Sequence, residues 1–416
     1  MEPFRFIHTA DLHLDSPCKG MKRIGPDLQT DLQDATFHAF ERIVDACMER
    51  EVDFLTIAGD LFDQPERSLR AQVHFREQAK RLQKKGIHIY IIHGNHDHLG
   101  GKYIRMEWPD NVYVFPAGKV DSQSVYRNGK ELARIYGISY PAQAVSENYA
   151  KKFQRDTQAP YAIGLLHTNV GSDEQHENYA PTTVEELTAA GFDFWGLGHI
   201  HIPRILNDQN PVILYPGNPQ GRHIREAGAR GCYLVDVKET GVSELTFLPT
   251  DQIRWFMLQV DLTGCDRVEE MVDRLAEHVA GVAESHANTG IVRMTVHGAT
   301  SLHAYLQDRE NLRQVQDALQ TILSNSCGNF WIESLEEQTA PNYDLELLRQ
   351  QPNFIGDFLT IAETCMESPA IRDDLQRSLQ EFYGRGKPLP NLSEEDFRLL
   401  LRKAGQLGLQ MLLEVE

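Results

Sequence analysis

The sequence predicts an α/β protein with two β-sheets packed face to face and helices outside them. A small βαβαβ unit and a helical tail follow. Three observations carry this reading. The first hundred residues alternate strand, helix, strand, helix, strand, a pattern that implies right-handed crossovers and a largely parallel sheet. The next 150 or so residues are dense in short strands. Near residue 250 the pattern resets into strand, helix, strand, helix, strand. A chain of 416 residues suits more than one domain, and we expect boundaries that give 1–250, 251–338 and 339–416.

In chain order, Phe4 to Thr9 is a short apolar strand that runs into Ala10-Asp11-Leu12-His13-Leu14-Asp15. Residues 27 to 50 carry a helical period, with Phe37, Phe40, Ile43, Val44 and Cys47 on one side. Val52 to Ala58 is a buried strand closed by Gly59-Asp60-Leu61-Phe62-Asp63. Leu69 to Lys85 is a helix stopped by Gly86. Ile87 to Ile92 is the next strand. Gly94 follows as the residue type that turns a backbone sharply, with Asn95-His96-Asp97 after it. Short strands are expected at Val112 to Phe115, Ser124 to Tyr126, Leu132 to Tyr140, Ala162 to His167, Phe192 to Gly196, Val212 to Leu214, Cys232 to Val237 and Ser243 to Leu248, with Asn128-Gly129 as a hairpin turn. Glu147 to Arg155 and Val184 to Ala190 read as helices.

The βαβαβ unit comprises Trp255 to Leu262, Val268 to Ala283, Ile291 to His297, Leu302 to Leu323 and Phe330 to Leu335. From Asn342 the tail is amphipathic helix, broken at Glu363 to Pro369 and at Tyr383 to Pro390. A final helix spans Phe397 to Leu413. Its apolar face is expected to be Phe397, Leu400, Leu401, Ala404, Leu407 and Met411, and Gly405 and Gly408 argue against its continuity.

Composition excludes several classes. A net charge of −19 argues against a broad basic face gripping duplex DNA. It is compatible with a cluster of carboxylates neutralised by bound cations. The six cysteines, Cys18, Cys47, Cys232, Cys265, Cys327 and Cys365, form no CxxC pair, so neither a disulfide framework nor a structural zinc site is expected. The N-terminus lacks a signal-peptide pattern, and no stretch nears the roughly 18 apolar residues of a membrane span. A cytoplasmic protein is expected.

Five polar clusters fall at strand ends: Asp11-x-His13, Gly59-Asp60-x-x-Asp63, Gly94-Asn95-His96-Asp97, His167, and Gly198-His199-Ile200-His201. Open α/β sheets place their sites at the carboxyl ends of strands. The donors are carboxylate, imidazole and amide oxygen without thiolate, which suits Mn²⁺, Fe²⁺ or Zn²⁺, Mn²⁺ being the least thiophilic. Seven ligands exceed what one ion takes and suffice for two if one carboxylate bridges; Asp60, central in the order, is the natural bridge. Two-metal sites clamp the attacking and leaving oxygens of an in-line phosphoryl displacement. The residues therefore point to a binuclear hydrolase of phosphate esters whose nucleophile is a metal-held hydroxide.

The ordered set DxH, GDxxD, GNHD, H and GHxH resembles the calcineurin-like metallophosphoesterases over roughly residues 4 to 220. The segments IHTADLHLD, GDLFD, HGNHD and GLGHIH, with Tyr215-Pro216-Gly217-Asn218-Pro219, are similar to the DNA repair exonuclease branch of SbcD-like and YhaO-like members. The resemblance implies the metallophosphoesterase fold of two packed mixed sheets. It implies one ion on Asp11, His13, Asp60 and His201 and a second on Asp60, Asn95, His167 and His199. It places His96 beside the scissile phosphate, where it stabilises the transition state or protonates the leaving oxygen. Asp97 would orient His96, and Asp63 and Asp15 would support the ligands from outside.

The resemblance further implies DNA as substrate, an SMC-like coiled-coil ATPase partner docked on the C-terminal helices, and a homodimer. The chain has no GxxxxGK[ST] phosphate loop of its own.

Other histidines have ordinary explanations. His8, His38, His74, His88, His278, His286, His297 and His303 read as surface or core residues. His93 and His98 flank the motif as candidate supports. His223, with Arg222 and Arg225, is a candidate substrate contact. The leading reading is an Mn²⁺-dependent DNA exonuclease in repair or recombination. A phosphodiesterase or nucleotide phosphatase acting on small esters is the alternative within enzymes. A scaffold subunit that has lost catalysis is the alternative outside them, and the intact ligand set opposes it.

Overall fold

The computed structural model describes residues 1–16, 18, 26–64, 67–101, 104, 106–171, 179–241, 243–286, 288–343, 345–368, 374–375, 377–378 and 394–413. The first strands and helices are β1 (Phe4–Thr9), α1 (Pro26–Glu49), β2 (Phe54–Ala58), α2 (Leu69–Gln83), β3 (His88–Ile92) and β4 (Val112–Val114). Then come β5 (Asp121–Arg127), β6 (Lys130–Gly137), β7 (Ala162–His167), α3 (Val184–Ala189), β8 (Phe194–Gly198), β9 (Arg204–Asn207), β10 (Val212–Tyr215), β11 (Gly231–Val237) and β12 (Ser243–Pro249).

These strands make two six-stranded sheets, ordered β12-β11-β1-β2-β3-β4 and β5-β6-β7-β8-β10-β9. Each has a parallel centre with antiparallel pairing toward its margins: β1 to β4 run parallel, β11 is antiparallel to β1, and β12, antiparallel to β11, runs in the β1 direction again. In the second sheet β6, β7, β8 and β10 are parallel, with β5 and β9 antiparallel at the two edges. Because successive side chains of a strand face opposite ways, each strand serves two cores. Phe6, Phe54 and Ile92 meet Ile135, Ile163, Leu165 and Phe194 between the sheets. Ile7, Leu55, Ile57, Ile89 and Ile91 face the other way, onto Phe40, Val44, Phe75 and Leu82 of α1 and α2. On the far side of the second sheet, Trp195 and Ile213 pack with Leu187 and Phe192.

The remaining elements are β13 (Ile253–Asp261), α4 (Val268–Ala283), β14 (Thr289–Thr300), α5 (His303–Gln307), α6 (Arg309–Ser326), β15 (Phe330–Pro341), α7 (Leu345–Arg349), α8 (Phe354–Glu367) and α9 (Glu394–Leu413). Strands β13, β14 and β15 form a three-stranded sheet in that order. It is parallel: the Leu262 amide meets the His297 carbonyl just past the end of β13, and the Gly290 amide meets the Asn329 carbonyl just before β15. By compactness the chain forms two units. One comprises Met1–Leu258, Ala276–Met294 and Gln320–Ser334; the other comprises Gln259–Leu275, Thr295–Leu319 and Leu335–Glu416. Within the first unit, Ile253, Trp255 and Ile291 share a small core with Leu28, Leu32 and Ala35 of α1. Among the described residues no helix is long and apolar enough to cross a membrane.

Several expectations are corrected. The segment expected to be helical at Glu147 to Arg155 holds only a 3₁₀ turn, Tyr149–Lys152. Its helical spacing comes from Tyr149 and Phe153, which are buried in the second sheet's outer core. Strand β9 is absent from the expected strands, because an exposed four-residue edge strand has no apolar alternation to reveal it. The break expected at Glu363 to Pro369 falls late in that segment: α8 runs on to Glu367 and Ser368 is extended. The expected break at Tyr383 to Pro390 lies outside the described residues. Helix α9 is continuous, and its glycines sit where it meets α8. A Cβ on Gly408 would come within 2.5 Å of the Phe358 ring, and one on Gly405 within 3.7 Å of Ala362. The face expected to be apolar is largely in solvent: Leu400, Ala404, Leu407 and Met411 are exposed, while Leu409 is buried.

Candidate metal centre

The carboxyl ends of β1, β2, β3, β7 and β8 converge, which brings all five polar clusters together. The turns after β1 and β2 are zipped to each other by backbone bonds: the Asp11 amide to the Gly59 carbonyl (3.0 Å), His13 to Asp60 (2.9 Å) and Leu14 to Leu61 (3.0 Å). To aim their side chains inward, Asp11, His13, Asp60 and His199 all adopt positive φ, at 54°, 44°, 49° and 98°. Such backbone costs on the order of 1 kcal/mol per residue and persists where the surroundings over-determine it.

Gly94 is not needed for a turn, since its φ is not positive; it is needed for space. A Cβ there would lie 2.4 Å from Asp60 Oδ1 and 2.7 Å from His167 Nε2. Gly198 is similar, with its Cβ position 1.8 Å from the Ala58 carbonyl oxygen.

Asp11, His13, Asp60, Asn95, His167 and His199 are buried, and His201 is partly so. His13 Nε2 and His201 Nε2 face each other at 3.2 Å. Asp60 Oδ2 lies between the two groups of donors, 3.8 Å from His13 Nε2 and 3.5 Å from His167 Nε2. His167 Nε2 is also 2.9 Å from Asn95 Oδ1. The ligand atoms of Asp11, His13 and His201, and those of Asp11, Asp60 and His167, each lie within 4.8 Å of one another. The His199 amide donates to both Asp11 oxygens, at 3.0 and 3.1 Å.

Burial pushes the Asp11 carboxyl well above its ordinary range, and the Asp60 charge adds to this. Burial raises Asp60 as well. Burial also holds His13 well below the ordinary imidazole value, helped by the Arg222 charge, and brings His167 down to about 4. Two crowded carboxylates and several neutral imidazoles with converging lone pairs are what a cation requires. Its charge favours the ionised carboxylates and its coordination uses the free nitrogens. The donors therefore fit a His/Asp metal centre of the binuclear type.

His96 stands apart from the buried donors. It is exposed, its amide donates to Asp60 Oδ1 (2.9 Å), and its ring Nδ1 lies 2.9 Å from the Asp63 carbonyl oxygen. A carbonyl only accepts, so Nδ1 carries a proton there and Nε2 is left for another partner. Its ring packs edge-on to His13, with centroids 4.9 Å apart.

The supporting residues differ from expectation. Asp97 does not orient His96. Its carboxylate accepts from the amides of Leu61 (3.0 Å), Phe62 (3.4 Å) and Gly94 (2.9 Å) and from His93 Nδ1 (2.6 Å). The turn that carries the motif points Asp97 back into the protein, so it ties the β2 and β3 loops together. Asp15 is turned away as well, bonded to Ser68 and Arg70. Asp63 stays beside the centre: Oδ1 lies 3.1 Å from His13 Nδ1, close in charge but without hydrogen-bond geometry. His8 is a satisfied core residue between Thr56 and the Leu197 carbonyl.

Sequence reasoning missed Glu226. This buried carboxylate accepts from His201 Nδ1 at 2.7 Å. Burial alone would raise its pKa, but the His201 bond and the Arg222 charge hold it well below the carboxylate range. Its only sequence signal is its place just after Gly221-Arg222-His223.

Residues 4–203 match the family model described as calcineurin-like phosphoesterase, and residues 255–340 match the metallophosphoesterase YhaO middle domain. The chain is 34% identical over 384 residues to the uncharacterized metallophosphoesterase YhaO of Bacillus subtilis (strain 168), covering 90% of this chain and 93% of that one. It is 24% identical to the DNA double-strand break repair protein Mre11 of Methanopyrus kandleri, over 76% of this chain and 73% of the relative. It is 26% identical to the SbcD component of the nuclease SbcCD of Bacillus subtilis (strain 168), over 56% of this chain and 63% of the relative.

Proposed function

The chain belongs to the calcineurin-like metallophosphoesterases, metal-dependent phosphoester hydrolases, and on that premise we propose that it is a DNA exonuclease acting in repair or recombination. We assign one ion to Asp11, His13, Asp60 and His201 and the other to Asp60, Asn95, His167 and His199, with Mn²⁺ as the ion. Bound there, the two ions would supply Lewis-acid polarisation of the phosphoryl group and an activated water.

The observation that carries the reading is the placement of His96. It is the exposed imidazole at the edge of a buried donor cluster, anchored through its amide to Asp60 and through Nδ1 to Asp63. With Nδ1–H committed to a carbonyl, Nε2 is the atom that meets substrate. It donates a proton to the leaving oxygen or a hydrogen bond to the phosphoryl oxygens. Asp97 holds the loop that carries His96, and Asp63 holds the ring. Similarity to Mre11 over 76% of the chain supports DNA as the substrate class.

The net charge of −19 favours the second reading, a phosphodiesterase or nucleotide phosphatase on small esters. The two separate in one assay. The purified chain with Mn²⁺ is given linear and circular DNA, bis-p-nitrophenyl phosphate and cyclic nucleotides. Release of nucleotides from the ends of linear DNA is expected; hydrolysis of the small esters alone would contradict the nuclease reading.

The tail is assigned to docking of a long coiled-coil ATPase. Phe354 and Ile361 on α8, and Leu400 and Leu407 on α9, are exposed apolar residues seven apart in sequence, the spacing at which one helix presents a seam to another. Co-purification that survives deletion of residues 340 to 416 would refute this assignment.

A further inference from the structure

The two donor sets are braced differently. His201 Nδ1 donates to Glu226 Oε1 at 2.7 Å, and His13 Nδ1 lies 3.1 Å from Asp63 Oδ1. The Glu226 bond at Nδ1 leaves the His201 Nε2 lone pair facing the cluster, while Asp63 meets His13 Nδ1 as a charge contact without hydrogen-bond geometry, and the two Nε2 atoms are 3.2 Å apart. His167 is held differently: its Nδ1 lies 3.0 Å from the neutral carbonyl of Ala58. One guanidinium reaches both bracing carboxylates. Arg222 Nη1 donates to Asp63 Oδ1 (2.7 Å) and to Ser16 Oγ (2.9 Å). Its Nη2 lies 3.8 Å from Glu226 Oε1, and its amide donates to Glu226 Oε2 at 2.7 Å. The side chain is only 13% exposed.

Given the donor assignment proposed above, we infer that Arg222 is a positioning residue. Through Asp63 and Glu226 it fixes His13 and His201, and so controls one of the two ion sites and not the other. Without it, two carboxylates that share one cation would repel each other and turn toward solvent, releasing both imidazoles. Arginine suits the position because a planar fork addresses two carboxylates at once, whereas lysine offers a single point charge.

The full chain, stripped with chelator, is titrated with Mn²⁺ by calorimetry, and bound metal is counted by mass spectrometry. In Arg222→Gln one of the two ions is expected to weaken about 10- to 100-fold, the usual effect of losing such a ligand support, while the other keeps its affinity. Arg222→Lys restores part of the loss, and Arg225→Gln, at an exposed position, changes neither ion. In an Asp63→Asn/Glu226→Gln background, Arg222→Gln is expected to add less than about twofold, because its route is already cut.

Unchanged affinity at both ions with a raised KM would overturn the inference in favour of a substrate contact. Equal weakening of both ions would overturn it in favour of a general structural role. A wild-type chain that binds no pair of ions would remove the donor assignment itself, and the inference with it.

Discussion

Asp97→Asn separates two roles that one residue in the GNHD motif is able to play. In the structure Oδ2 accepts from the Leu61 and Phe62 amides and from His93, and Oδ1 accepts from the Gly94 amide. Asparagine keeps the shape but has one acceptor oxygen. Its better orientation keeps the Oδ2 bonds and sets its NH₂ against the Gly94 N–H. One buried donor is then unpaired, at about 1–3 kcal/mol, and the surviving bonds lose their charge assistance, for a total of about 3 kcal/mol. Asp97→Ala strands all four donors and is expected to cost at least ~4 kcal/mol. Urea unfolding followed by circular dichroism at neutral pH measures both, and a domain of ordinary stability survives the first change. The Asp97 carboxyl is held well below its usual range because the His93 bond and nearby Arg67 outweigh burial. Its contribution is therefore complete above the ordinary carboxylate pKa of about 4 and is lost as pH falls through and below that value. If Asp97→Asn left stability within about 0.5 kcal/mol of wild type and lowered kcat alone, the residue would be acting on His96 and the clamp would be wrong.

Two further outcomes are expected. His96→Ala should lower kcat by about 10²- to 10⁴-fold while metal content stays at the wild-type value; loss of both metals would make His96 a ligand. Burial brings His8 down to about 3, so between that value and the unfolded 6.5 the unfolded chain binds the extra proton and stability rises with pH. Replacing it by glutamine should flatten the stability–pH slope over this window by up to about 1.4 kcal/mol per pH unit. An unchanged slope would show that His8 titrates normally.

The donors were legible because their chemistry is local: each cluster closes an apolar run, and the run fixes the strand that delivers it. The supports were not legible because they are long-range. Glu226 is 25 residues from His201, Asp97 is 36 from Leu61, and Arg222 is 159 from Asp63. Only the folded arrangement decides that Asp97 faces inward while its neighbour His96 faces solvent. The tail was legible in part, for a related reason. Helical spacing identifies an apolar face on α9 but not whether the chain itself covers it, and the actual α8 contact uses Gly405 and Gly408.

The central claim is that donors from both sheets make one centre joined at Asp60, whose Oδ2 lies between His13 and His167. Metal counting and Mn²⁺ titration of the wild-type chain and of Asp60→Asn test it most directly. The wild type is expected to bind two ions and Asp60→Asn to weaken both together. Loss of a single ion with the other untouched would contradict the bridge.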